Sequence, residues 1–483
     1  MNFASCQYIG FLLGVWALFL IIPAPRRSAL LLVASYVFYA AWSLPFIGVI
    51  LITTSIDYFA SRKIDQSDSQ KIKRAFLWTA ILANLFVLCV FKYLNFFLDA
   101  QCSLFTLSGH ASLLPSHLNI LLPLGISYYT FEAISYLVDV YRGMQPAPSW
   151  GSYNFYIMYF PHLLSGPIVR FKELYSQYEK PIQLPSADRL AKAAELIILG
   201  FFCKLAIADS IAPIVDPIYA DASSASTLSI FIGGFGFITQ LYFDFLGYTH
   251  VARGSSLLFN IELPVNFDHP FHSTNMANFW QRWQISLSRW LHDYVFQPLG
   301  GARRSLRLTV KNVFLTLLIA GIWHGAGWNY ILLGAYFGAT AAFYHAYRRY
   351  RKSILKGKDR SVIEHPIYAG TMSWITFYFI VFSGILFRAQ SLETIRIFFG
   401  QMVRFDLLAR DIVEKIQAND LAPLGILLSC IVLCRGGPLA VRLYQRFFER
   451  VPYAVKIQAA TMVAVLTWVA TSDKVPPFIY FQF

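Results

Sequence analysis

The chain has 483 residues, of which 57% are hydrophobic, 17% aromatic and only 14% charged, and its mean hydropathy is +0.51. A soluble chain carries about 25% charged residues, so this composition excludes a water-soluble enzyme, and no polar stretch is long enough for a separate soluble domain. The net charge of +14 lies in short loops between apolar runs, a pattern that points to anionic lipid headgroups as partners and not to nucleic acid.

Apolar runs fall near residues 7–24, 28–44, 45–60, 75–98, 118–140, 152–168, 191–209, 228–248, 308–327, 329–347, 366–387, 421–436 and 455–471. A helix needs roughly 20 apolar residues to cross a bilayer, so the runs predict an all-α polytopic membrane protein with about 11–13 membrane segments. The expected organisation is a single membrane-embedded domain over 1–483. The first run has no basic residue before it and no clear small-residue cleavage site after it, and it reads as a membrane helix, not a removed signal peptide. Pro161 and Pro167 bracket the run at 152–168, which is expected to be re-entrant or partly inserted. Loop charge sets the orientation. Arg62, Lys63, Lys71, Lys73 and Arg74 follow the third run, and residues 170–192 are basic, whereas 209–227 carries only Asp209, Asp216 and Asp221. Further basic loops hold Arg303, Arg304, Arg307 and Lys311, then Arg348, Arg349, Arg351, Lys352, Lys356, Lys358 and Arg360. With these loops in the cytoplasm, both termini face outward.

The segment 275–300 does not read as a span. Trp280, Trp283, Leu287 and Leu291 make an apolar helical face, and Asn278, Arg282, Ser286, Arg289 and Asp293 a polar one. Gln284, Ser288 and His292 follow a third line at four-residue intervals. Pro298 and Gly300-Gly301 end the helix. Such a helix either lies in the interface on its tryptophans or dips inward to line a polar tunnel. The next run carries one histidine in Ile319-Ala-Gly321-Ile-Trp323-His324-Gly325. An ionisable group at membrane depth is costly and marks a functional site by default. Histidine is also the commonest general base, with a pKa near neutrality.

Other chemistries lack their residues. Cys6, Cys89, Cys102, Cys203, Cys430 and Cys434 form no CxxC pair. His269 and His272 make His-x-x-His without an acidic or cysteine partner at ligand spacing, so no metal is expected. There is no phosphate-binding glycine loop and no GxSxG elbow.

Several blocks together carry a family resemblance. They are Tyr129-Thr-Phe-Glu-Ala-Ile-Ser135-Tyr-Leu-Val-Asp139-Val-Tyr-Arg142, Phe160-Pro161-His-Leu-Leu-Ser-Gly166-Pro167 and Gln240-Leu-Tyr242-Phe-Asp244-Phe-Leu-Gly247-Tyr248. Leu263-Pro264-Val-Asn266-Phe, Asn278-Phe-Trp280-Gln-Arg282-Trp283, Gly321-Ile-Trp323-His324-Gly325 and the terminal Phe478-Ile-Tyr-Phe-Gln-Phe483 complete the set. In order and spacing they resemble the membrane-bound O-acyltransferase (MBOAT) family, and within it the alginate O-acetylation (AlgI-like) branch. The resemblance implies a helical bundle around a central tunnel, with the family histidine at His324. It implies transfer of an acetyl group from a cytoplasmic thioester, acetyl-CoA or an acyl carrier protein, towards an exopolysaccharide outside. No permanently bound cofactor is implied. The implied partners are a periplasmic SGNH-type acetyltransferase and the polysaccharide biosynthesis and export machinery, and the implied location is the cytoplasmic (inner) membrane of a bacterium, with a periplasmic N-terminus.

There is one departure. The family pattern is Trp-His-Ile-Ser-Leu-Ser, where this chain has Trp283-Gln284-Ile285-Ser286-Leu287-Ser288. Gln284 is no general base, but it can donate and accept hydrogen bonds, and other branches place Asn or Asp in this role. His292 lies about 12 Å further along a helix at ~1.5 Å per residue, too far to replace the missing ring. The expected catalytic pair is therefore His324 and Gln284, with Asn278, Arg282, Ser288, Trp323 and Asp244 expected around the substrate. Two other readings compete: D-alanyl transfer of the teichoic-acid type, and a transporter or flippase that forms no ester.

Overall fold

The computed structural model describes residues 5–108, 117–118, 120–164, 166–302, 305–354, 365–443 and 446. Every regular element among them is helical, as apolar runs without turn-separated alternation require. Five helices are long and apolar enough to cross a membrane: Gln70–Ser103, Ala187–Ala220, Thr227–Leu258, Leu306–His324 and Pro366–Arg388. The pair Ala422–Arg435 and Gly437–Leu443, bent by 59°, makes a sixth if counted as one span. Other expected segments fold as shorter helices, such as Cys6–Ile21 with 16 residues and Arg27–Ala40 with 14. The run at 152–168 breaks into Trp150–Met158 and Phe160–Leu163, neither long enough to span. The run at 455–471, the terminal Phe478–Phe483 block and the basic residues Arg303, Arg304, Lys356, Lys358 and Arg360 lie outside the described residues.

Two compact units divide the chain. The first comprises Met1–Ile197, Thr249–Pro264 and Gly325–Gly327. Its interior is aromatic, with Tyr8, Phe38, Phe160 and Phe259 meeting edge to face. Two buried carboxylates there are bonded, as low-dielectric surroundings demand. Asp57 accepts from Asn84 Nδ2 at 2.7 Å and from the Tyr153 hydroxyl at 3.0 Å. Glu132 sits 3.2 Å from His162 Nε2 and accepts the Val169 N–H at 3.1 Å. That pair fixes the chain on either side of the break after Leu163. Gly125, at φ +73°, lies so close to the Leu163 carbonyl that a Cβ would stand 2.4 Å from it.

The second unit comprises Ile198–Tyr248, Val265–His324 and Trp328–Phe483. Its centre is the antiparallel pair Leu306–His324 and Trp328–Ile354. Small residues let the two backbones touch. A Cβ on Gly321 would stand 2.4 Å from Gly334 Cα and 2.5 Å from the Tyr330 carbonyl, and one on Gly334 2.8 Å from the Leu318 carbonyl. Elsewhere in this unit Lys204, 3% exposed, bridges Asp244 at 2.6 Å and Asp209 at 2.8 Å. Arg435 lies over the Trp374 ring at 4.4 Å and donates to Ser373 Oγ at 2.8 Å.

Candidate active site

His324 closes the Leu306–His324 helix and is 8% exposed. Its ring meets Trp323 at 5.1 Å and Phe387 at 5.6 Å between centroids. It lines a cavity of about 30 Å³ together with Ile238, Leu241, Phe279, Trp280, Trp283, Leu333, Phe337, Ile380, Ser383, Gly384 and Phe387. Four helical segments of the second unit thus contribute walls, along with the segment Phe279–Trp283. The lining is apolar and aromatic, with His324, Ser383 and the indoles of Trp280 and Trp283 as its residues with polar groups, and it holds no carboxylate and no second cation. Ser383 spends its hydroxyl on the Ile380 carbonyl at 2.6 Å. The Trp280 Nε1–H is buried and has no acceptor among the described residues.

The segment that brings the tryptophans here is not the continuous helix the stripes of the sequence suggest. It is a short helix Met276–Trp280, a turn, a second helix Ile285–Leu291 and a wider-wound stretch His292–Phe296. The break is at Gln284, whose φ of 41° and ψ of 58° put a non-glycine residue in the left-handed region. Asn266 supplies the reason. Its carbonyl accepts the Ile285 N–H at 2.9 Å and its Oδ1 the Ser286 N–H at 3.1 Å, capping the second helix from outside the segment. The line joining Gln284, Ser288 and His292 is therefore not a helical stripe. The expected stop holds: Gly300 and Gly301 have φ of 109° and 58° and receive the chain just past Phe296.

Comparison with known proteins assigns the fold its chemistry. The sequence model of the membrane-bound O-acyltransferase family matches residues 49–387. That span contains Gln284, His324 and every lining residue of the cavity. The chain belongs to the membrane-bound O-acyltransferase family. It is an O-acyltransferase and a multi-pass membrane protein. It is similar to a probable alginate O-acetylase, AlgI, of Azotobacter vinelandii, at 33% identity over 518 residues covering 100% of each chain. It is also similar to a peptidoglycan O-acetyltransferase of Helicobacter pylori, at 33% identity over 75% of this chain and 71% of the relative. A teichoic acid D-alanyltransferase of Streptococcus thermophilus is 32% identical over 54% of this chain and 68% of the relative.

Of the catalytic and substrate-binding residues expected from sequence, His324 alone lines the cavity of this acyltransferase. Trp323 packs beside it. Gln284 is fully buried next to the lining residue Trp283, and its Oε1 and Nε2 have no partner among the described residues. A buried amide left unbonded costs about 1–3 kcal/mol, and a native structure keeps such a group for a reason. Asn278 is partly exposed; its N–H takes the Asn275 cap at 2.9 Å. Arg282 binds the Asp268 carbonyl at 3.2 Å and faces its carboxylate at 3.6 Å. Ser288 donates back to the Trp283 carbonyl at 3.2 Å. Asp244 is taken up by Lys204. His292 is exposed and bonded to Asp293 at 2.8 Å. His272 is pushed down to about 4 by burial and by Arg435, so it stays neutral. Among the described residues no three His, Cys, Asp or Glu side chains are grouped to hold a metal ion.

Sequence reasoning missed the rest of the cavity wall. Trp280 and Trp283 were visible as an apolar face and as part of a family block but not as cavity lining, and Phe337, Ser383, Gly384 and Phe387 sit in runs that read as ordinary spans. No local pattern marks them, because what makes them a site is their meeting across helices.

Proposed function

We propose that the chain is an O-acetyltransferase of a bacterial cytoplasmic membrane, passing acetyl from a cytoplasmic thioester towards hydroxyls of a cell-surface glycan. The observation that carries this reading is the lining of the cavity at His324. It is small, apolar and without a carboxylate. An acetyl group, three heavy atoms and no charge, suits it. A D-alanyl group would bring an ammonium with no counter-charge in that lining, and an unpaired buried charge is strongly disfavoured. Among the activities named for the relatives, this favours acetyl over D-alanyl transfer.

The reaction then runs as general-base acyl transfer. The His324 imidazole takes the proton of the acceptor hydroxyl as its oxygen attacks the thioester carbonyl, a contribution of about 10²–10⁴-fold. The tetrahedral adduct collapses with loss of the thiolate, which receives that proton from the imidazolium. An ester and a free thiol result. Gln284, buried and unbonded, holds the acceptor hydroxyl; its strained backbone is the kind of feature functional sites retain. Of the residues expected around the substrate, Trp323 packs on the His324 ring and Ser288 donates to the Trp283 carbonyl, while Asn278, Arg282 and Asp244 are bonded to residues outside the cavity lining. The donor is acetyl-CoA or an acetylated carrier protein. A periplasmic acetyltransferase and the polysaccharide export machinery receive the group, and the N-terminus faces the periplasm, as the loop charges direct.

The test is the ester content of surface polymers in a deletion strain and its complement, with O-acetyl and D-alanyl esters resolved by NMR. Loss and recovery of O-acetyl groups alone is the expected result. Loss of D-alanyl esters would replace acetyl with D-alanyl transfer, and no ester change in any polymer would favour transport.

A further inference from the structure

The reaction needs something the general base does not supply. As the hydroxyl attacks, the thioester oxygen gains negative charge, and in an apolar cavity that charge needs a donor already in place. Of the polar residues lining the cavity, His324 is committed to the proton and Ser383 Oγ to the Ile380 carbonyl, which leaves the indoles of Trp280 and Trp283. Trp280 is nine-tenths buried, its indole N–H has no acceptor among the described residues, and its ring forms part of the same wall as His324. A buried indole N–H usually finds a partner. The ring is also held firmly. It meets Phe337 edge to face at 4.8 Å and Phe279 at 5.6 Å, and it ends the short helix whose chain turns sharply at Gln284.

We infer that the Trp280 indole N–H is the hydrogen-bond donor to the acyl carbonyl oxygen, stabilising the oxyanion of the tetrahedral adduct. The inference rests on the acyltransfer reading of the His324 cavity. It divides the polar work in three: His324 moves the proton, Gln284 holds the acceptor and Trp280 stabilises the oxyanion. When the adduct collapses, the C–S bond breaks, the carbonyl re-forms and its bond to Nε1–H weakens. The indole keeps its proton throughout.

The test replaces the N–H while keeping the ring. Trp280→benzothienylalanine puts sulfur where the N–H stood, at nearly the same volume; Trp280→Phe is the second variant, keeping an aromatic ring against Phe337. His324→Ala is the companion. All are compared in cells at matched protein level, by the initial rate of O-acetyl ester accumulation on surface polymer. Loss of one oxyanion donor costs on the order of 10²–10³-fold, so both Trp280 variants should fall by that much and His324→Ala should give no ester. A benzothienylalanine variant within about threefold of wild type, with His324→Ala inactive, would overturn the role of Trp280 and leave the site intact. An active His324→Ala would overturn the reading of the site itself, and this inference with it.

Discussion

The backbone contact between the two central helices of the second unit sets the position of His324, and Gly321→Ala tests how tightly. Gly321 lies three residues before His324, about 4.5 Å along the axis at ~1.5 Å per residue. A Cβ there would stand 2.4 Å from Gly334 Cα, 2.4 Å from Gly334 N and 2.5 Å from the Tyr330 carbonyl oxygen. Carbon atoms pack at about 3.5–4.0 Å, so the helices must part by roughly 1 Å. All three neighbours are backbone atoms, so no side chain can rotate away to absorb the change. The partner helix carries Leu333 and Phe337, so the shift moves His324 against the opposite wall of its own cavity. A misplacement of about 1 Å can cost on the order of 10² in rate, or about 2.7 kcal/mol of transition-state stabilisation. The assay is the initial rate of acyl transfer in membranes matched for protein, with Gly370→Ala as the control. Gly370 has nothing within 4 Å of a built Cβ and should keep the full rate. A Gly321→Ala protein that accumulates normally and transfers acetyl at the wild-type rate would refute the claim that this contact positions His324.

Other outcomes follow from the same geometry. Gln284→His restores the family ring at a buried position, and turnover should change several-fold at equal expression; an unchanged rate and acceptor dependence would remove Gln284 from the site. Lys204→Met leaves Asp244 and Asp209 without their cation. Breaking a buried pair from one side costs about 3–5 kcal/mol, so accumulated protein and thermal stability in detergent should both drop, with Lys204→Met/Asp244→Asn recovering part of the loss. Wild-type stability in Lys204→Met would show that the pair contributes little.

Much of the helical framework was legible in the sequence because hydropathy is a local signal. The runs at 308–327 and 366–387 became Leu306–His324 and Pro366–Arg388. The run at 228–248 was read too short: the helix continues to Leu257. Hydropathy dips there because Ser255 and Ser256 are polar, yet both are buried and bonded to the hydroxyls of Tyr8 and Tyr159. The candidate site was legible only in part. His324 stood out as an ionisable residue in an apolar run, and Gln284 as a departure from a family pattern. The break at Gln284 depends on Asn266, eighteen residues earlier, and the close helix crossing on Gly334, thirteen residues after Gly321. Neither partner announces itself in a periodic pattern. The orphaned indole N–H of Trp280 is likewise a property of its surroundings, not of its residue type.

The central claim is that His324 acts as the base for acetyl transfer, and one complementation measures it. A deletion strain carrying His324→Ala, at wild-type protein level in the membrane, should leave surface polymers with the O-acetyl content of the deletion by NMR, while the wild-type gene restores it. Full O-acetylation from the His324→Ala gene would contradict the account.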